Sequence, residues 1–206
     1  MQDVGFIFPL LILIVSVVVH EVSHGFVANL LGDPTARLAG RLTLNPAKHF
    51  DFFGSFLVPV GTWFLTLGQF TFGWAKPVPY NPYNLRHGEW GPALVAAAGP
   101  LSNLFLAVVF GLGLRALDAV GMLNQQILDI SLIVVVTNLV LAVFNLVPIP
   151  PLDGSKVLFA LLPYEYRWLQ EFLERNQYLI LFVFIFFLWR FVSPFVDFLL
   201  GLILGI

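Results

Sequence analysis

Val15-Ser16-Val17-Val18-Val19-His20-Glu21-Val22-Ser23-His24-Gly25-Phe26 lies inside an apolar run that extends from Gly5 to Leu31. About 20 apolar residues suffice to cross a bilayer as a helix. No Lys or Arg precedes the run and no small-residue cleavage site follows it, so it reads as a retained transmembrane helix rather than a removable leader. Residues four apart on a helix share a face. His20 and His24 can therefore both reach one Zn²⁺, and Glu21 beside the first imidazole can take a proton from a water that the metal polarises. Three ionisable side chains within hydrocarbon carry a heavy desolvation cost unless paired or metal-bound.

Composition places this motif in a membrane. The 206 residues are 59% hydrophobic and only 11% charged, with mean hydropathy +0.90 and 22 phenylalanines. An ordinary soluble domain carries about 25% charged residues, so too little charge is present to cover a soluble surface. A disordered chain, a secreted disulfide scaffold and a nucleic-acid binder are excluded. The net charge of −2 offers no footprint for nucleic acid. With no cysteine, any metal must be held by His nitrogen and carboxylate oxygen.

Three further stretches read as spans: Gly91–Leu114, Ile127–Val147 and Tyr178–Ile206, the last interrupted by Arg190 and Ser193-Pro194. Basic residues cluster in 32–51, 73–90 and 156–176, which puts those segments in the cytoplasm and 115–126 outside. The apolar stretch Phe52–Phe72, broken by Gly54, Pro59, Gly61 and Gly68, then has both flanks on one side and reads as re-entrant. Arg37–Leu44 and Gly73–Tyr80 read as extended, the latter through Pro77 and Pro79. Tyr164–Asn176 reads as a cytoplasmic amphipathic helix. The expected fold is an all-α polytopic membrane protein. It is a bundle of about four to six transmembrane helices, with a re-entrant segment and a small β-hairpin near the cytoplasmic face.

Catalytic zinc usually has three protein ligands. Asp153 is the leading candidate for the third, in Asn145-Leu146-Val147-Pro148-Ile149-Pro150-Pro151-Leu152-Asp153-Gly154. An Asp-Gly pair by itself also reads as a turn. Depth separates the two readings. His20 lies about 20 Å along the helix from Ile7, in the cytoplasmic third of a ~30 Å hydrocarbon core, and the span 127–147 emerges at that same face. His49 and His87 read as solvated or interfacial. Asn103 and Asn138 read as interhelical hydrogen-bonders, with a supporting role near the metal left open. Gly99-Pro100 is assigned no chemistry.

His20-Glu21-Val22-Ser23-His24-Gly25, Gly99-Pro100-Leu101-Ser102-Asn103 and Asn145…Pro148…Asp153-Gly154 together resemble the site-2 proteases, the zinc-dependent intramembrane metalloproteases. Arg37–Asn45 and 73–79 resemble a compact prokaryotic branch, and the resemblance covers roughly residues 17–160. It implies that His20, His24 and Asp153 bind one Zn²⁺ per chain and that Glu21 is the general base. Asn145 would help hold the substrate carbonyl or its tetrahedral intermediate. It implies hydrolysis of peptide bonds within or near a transmembrane helix of another membrane protein, in a multi-pass protein of the cell membrane with its active site toward the cytoplasm. A single peptidase domain would occupy 1–206, with its core in 5–160 and a C-terminal amphipathic helix and membrane helix in 163–206. No PDZ module or nucleotide-binding regulatory domain is recognisable, so the membrane core would select the substrate. The edges of Arg37–Leu44 and Gly73–Tyr80 would accept an unwound substrate by strand addition. Oligomeric state is left open. The alternative is a metal-ion transporter or sensor using the same His/His/Asp site. It needs a polar path to the outer face, and between Gly5 and Val19 only Ser16 is polar.

Overall fold

The computed structural model describes residues 4–65 and 75–205. Three helices are long and apolar enough to cross a membrane: α1 (Val4–Leu30, with the span at Phe8–Leu30), α4 (Trp90–Ala119) and α5 (Gln125–Leu146). The short helices α2 (Thr35–Leu38) and α3 (Val58–Leu65) lie between α1 and α4. After α5 come α6 (Gly154–Leu161), α7 (Arg167–Arg175), α8 (Gln177–Val183) and α9 (Trp189–Leu204). At 1.5 Å per residue, the 22 residues of α5 run about 33 Å, enough for a ~30 Å hydrocarbon core. Asn124 starts this helix by accepting the Ile127 N–H at 2.9 Å, and Pro148 follows its end.

The C-terminal stretch forms a fourth candidate span in two pieces. Gln177–Phe187 and Val192–Leu204 meet at 65°. The π-helical turn Phe184–Leu188 lies at the bend and Pro194 just beyond it, two recognised causes of a kink. Among the described residues the count is three spans, below the expected four to six, or four with the bent pair, at its low end. Helix α4 continues to Ala119, beyond the expected Leu114. Residues 115–119 contain no breaker, and the helix closes only where Met122 N–H bonds the Leu117 carbonyl at 2.9 Å.

Helix α4 is the hub. It packs on α1, α5, α6 and α9. Ala107, Val135, Leu139, Val143, Val196 and Ile203 form one buried cluster between α4, α5 and α9. The outward side chains remain apolar: Leu11, Phe105, Phe110, Phe182 and Phe198 are exposed, as a hydrocarbon solvent permits. In the expected re-entrant stretch, Phe53–Leu57 is π-helical and continues as α3. That helical segment, 53–65, is about 20 Å long, too short to cross alone. The rest of that stretch, 66–72, lies outside the described residues, as do Gly73 and Trp74.

The expected β-hairpin is not present, because no strand forms among the described residues. Arg37 and Leu38 belong to α2, and 75–81 is extended but unladdered. Several of its backbone groups are already bound, or missing. Pro77 and Pro79 have no N–H. Lys76 N–H donates to the His49 carbonyl at 2.8 Å, and Val78 N–H donates to Glu21 Oε2 at 2.9 Å. Arg41 Nη2 donates to the carbonyls of Lys76 and Pro77 at 2.7 and 3.3 Å. Side chains, not a partner strand, hold this strap.

Two glycines place those side chains. Gly32, at φ 108°, ends α1 with Asp33 N–H bonded to the Ala28 carbonyl and Gly32 N–H to that of Asn29. Gly40, at φ 63°, ends α2 with Arg41 N–H bonded to Ala36 and Gly40 N–H to Arg37. Both are Schellman closures, which need a left-handed residue. The first delivers Asp33, which is fully buried and accepts from Thr35 N–H, Thr35 Oγ1, Asn81 N–H and Asn84 Nδ2. The second delivers Arg41. His49, expected to be solvated, is 2% exposed, and its Nε2–H donates to the Thr43 carbonyl at 2.9 Å.

Asp33 gives this brace a pH dependence. Burial opposes its charge, but the bonds from Thr35, Asn84 and Asn81 outweigh that and hold its carboxyl below the usual range. A depressed folded-state pKa contributes stability above the unfolded value, about 3.9, and loses it as pH falls through the folded value. Asp33→Ala should lower unfolding stability at pH 7 by about 2–3 kcal/mol, the cost of stranding buried donors. Thermal unfolding in mild detergent should show the gap to wild type narrowing below about pH 4. A gap independent of pH would contradict the assignment.

Candidate metal centre

The site is built where α1, α4 and the α5–α6 connection meet. His20 and His24 lie one turn apart on α1, 5% and 9% exposed, with ring centroids 4.6 Å apart. Asp153 arrives from the other end of the chain, at the start of α6. Its neighbour Gly154 makes that arrival possible: a Cβ there would run into the Leu146 carbonyl at the end of α5. The Asp-Gly pair therefore serves close backbone approach rather than a left-handed turn.

Geometry brings the three side chains together. His20 Nε2 and His24 Nε2 lie 3.0 and 3.3 Å from Asp153 Oδ2. One ligand atom from each residue lies within 4.8 Å of the other two. Tetrahedral ligands at ~2.0–2.1 Å from zinc sit about 3.3 Å from one another, so the spacing suits one ion. The opposite ring nitrogens orient the rings. His24 Nδ1–H donates to the Val95 carbonyl at 2.7 Å, and His20 Nδ1–H donates to Asn103 Oδ1 at 2.6 Å. In the neutral rings, with the proton on Nδ1, both Nε2 lone pairs face the carboxylate. Three acceptors converge, and a cation satisfies them.

Space for that cation comes from Gly99. A Cβ on Gly99 would stand 2.5 Å from Nε2 of both His20 and His24. The missing side chain leaves open the volume in front of the two nitrogens, so donor chemistry, spacing and room all fit zinc.

The remaining candidates fall on either side of this centre. Glu21, half-buried on the same turn of α1, is held by Val78 N–H of the strap. Tyr80, on the same strap, has its phenol pushed up by burial and further by the Asp153 carboxylate. Asn145 lies in the last turn of α5, where its Nδ2 donates to the Leu141 carbonyl at 2.9 Å. His87 is exposed in the left-handed region, at φ 72°.

Sequence reasoning assigned Gly99 no chemistry, counted Arg41 only among the basic loop charges and gave Asp33 no reading. One signal for Gly99 was available: it stands four residues before Asn103, on the same face of a span. For Arg41 there was none, because its partners are backbone carbonyls 35 and 36 residues away.

The model of peptidase family M50 matches residues 8–135 and 116–188. The chain is 42% identical over 156 residues to "Putative zinc metalloprotease YwhC" of Bacillus subtilis (strain 168), across 73% of this chain and 67% of that protein. It is 34% identical over 147 residues to "Putative zinc metalloprotease Rip2" of Mycolicibacterium smegmatis, across 70% of this chain and 53% of that protein. The alignment thus spans about two thirds of the first relative and about half of the second. No solved structure matches the chain significantly. The chain belongs to peptidase family M50, the site-2 protease family. It is a zinc metallopeptidase, a hydrolase, with the apolar helices of a multi-pass membrane protein.

Gly99→Ala should abolish zinc binding while the protein stays folded, since the new methyl group takes the metal's volume. Gly113→Ala, on the same helix with open space around its Cβ, should keep the metal. Zinc content after purification checks both. Full zinc in Gly99→Ala would contradict the placement.

Proposed function

We propose that this protein is an intramembrane endopeptidase that cuts peptide bonds within or near membrane-spanning helices of other membrane proteins. His20, His24 and Asp153 would hold one zinc ion per chain, and Glu21 is the general base. The observation that carries this reading is the convergence of two Nε2 atoms and a carboxylate oxygen inside the bundle, on a helix apolar enough to span a bilayer.

Bound zinc supplies Lewis acidity toward a peptide carbonyl and toward water. The rest of the chemistry belongs to side chains. Glu21 accepts a proton from the attacking water and returns it to the nitrogen of the leaving amine. Val78 N–H, bonded to one carboxylate oxygen, holds Glu21 in place and leaves the other oxygen for the proton. To donate to a substrate carbonyl, Asn145 must release Leu141. A helical substrate shields its own carbonyls, so it must unwind locally before it enters. With no strand in the strap and its Val78 N–H engaged, entry requires the strap to yield rather than to add a strand.

The positive-inside rule, applied to the basic residues of 32–51, 73–90 and 156–176, supports a site toward the cytoplasmic side. In a prokaryotic cell that face belongs to the plasma membrane, with the lipid bilayer as solvent and a membrane-protein helix as partner.

Glu21→Gln tests the assignment. Reconstituted in liposomes with a single-span reporter protein, it should retain zinc and lose cleavage by at least about 10²-fold, the lower range for general-base catalysis. Turnover near wild type would remove Glu21 from the base role. Loss of zinc together with activity would instead make Glu21 a ligand.

A further inference from the structure

Asn138 on α5 is fully buried and does not touch the three converging ligand groups. Its Nδ2 donates to the Val134 carbonyl at 2.9 Å and to Ser16 Oγ at 2.9 Å. Its Oδ1 accepts from Asn103 Nδ2 at 2.8 Å. Asn103, also fully buried, donates through the same nitrogen to the Ser16 carbonyl at 3.3 Å and presents Oδ1 to His20 Nδ1 at 2.6 Å.

The orientation of both amides follows from chemistry alone. A backbone carbonyl only accepts, so Val134 and Ser16 each demand the nitrogen end of the amide that faces them. Flipping Asn103 would turn an N–H toward His20 and an oxygen toward the Ser16 carbonyl and Asn138 Oδ1. In a buried network each such clash leaves groups unsatisfied. With Asn103 Oδ1 facing the ring, His20 carries its proton on Nδ1 and turns Nε2 toward Asp153.

We infer that Asn138, two hydrogen bonds away from His20, is a positioning residue that sets which nitrogen of His20 faces the metal. The inference rests on the zinc site proposed above. It assigns Asn138 and Ser16 a task beyond joining α1 to α5: they lock the Asn103 amide, which in turn orients the ligand. Outer partners of metal-bound His typically change metal affinity by 10- to 100-fold.

Two substitutions separate this role from packing. Asn138→Leu keeps the branching and the number of side-chain heavy atoms and removes the acceptor for Asn103. Asn138→Asp keeps that acceptor and introduces polarity in excess. As a mere packing position, Leu would be tolerated and Asp would do harm. As a positioning residue, the order reverses for metal binding. Chelator competition on purified protein in detergent should give a zinc dissociation constant about 10- to 100-fold weaker for Asn138→Leu and within a few-fold of wild type for Asn138→Asp. The visible absorption of bound Co²⁺ should change only in the Leu variant. Thermal unfolding of the metal-free proteins should leave the Leu variant at least as stable as the Asp one. Wild-type zinc affinity in Asn138→Leu, or losses that track stability in both variants, would overturn the inference while leaving the zinc site intact. A wild type that binds no zinc would overturn both.

Discussion

Two imidazole nitrogens and a carboxylate oxygen point at one another in the interior of a helical bundle, and when both rings are neutral with the proton on Nδ1 none of them has a proton to offer. A cation between the three acceptors then offsets the cost of burying unpaired charge and lone pairs, several kcal/mol per group. Much of the architecture works to bring these atoms together. Helix α1 carries the imidazoles at helical spacing, and Gly99 withdraws its side chain from the space before them. Gly154 lets α6 press against the end of α5 so that Asp153 reaches the same point.

A second constraint governs the end of the bundle that carries the strap. The strap 75–81 runs into a single 3-10 turn at Pro82–Asn84 and has no partner strand, so polar groups along it are held one by one. Asp33 takes the donors at Asn81 and Asn84, Arg41 takes the Lys76 and Pro77 carbonyls, and Glu21 takes Val78 N–H. Glu21 is thus both a member of the metal motif and an anchor of the strap. Whatever displaces the strap also frees the Glu21 carboxylate from Val78 N–H.

The motif helix, its neighbouring spans and the His/His/Asp set were legible in the sequence because each leaves a local mark. An apolar run marks a span, i and i+4 spacing marks two ligands on one face, and three prolines before Asp-Gly mark a chain leaving a helix. The β-hairpin was misread because extended residues and prolines look alike whether a strand or a set of side chains satisfies them. His49 was misread because a basic loop suggests solvent, whereas its ring is folded back onto Thr43. Gly99 was undervalued because an absent side chain has no chemistry of its own. Only the position of two imidazoles shows what the absence is for.

The most direct test of the central claim is zinc per chain in purified wild type, His24→Ala and Asp153→Ala, each shown to be folded. The His/His/Asp centre predicts about one zinc in wild type and its loss in both variants, because two ligands hold the ion poorly. Full zinc in Asp153→Ala, or none in folded wild type, would contradict the convergence on which the account is built.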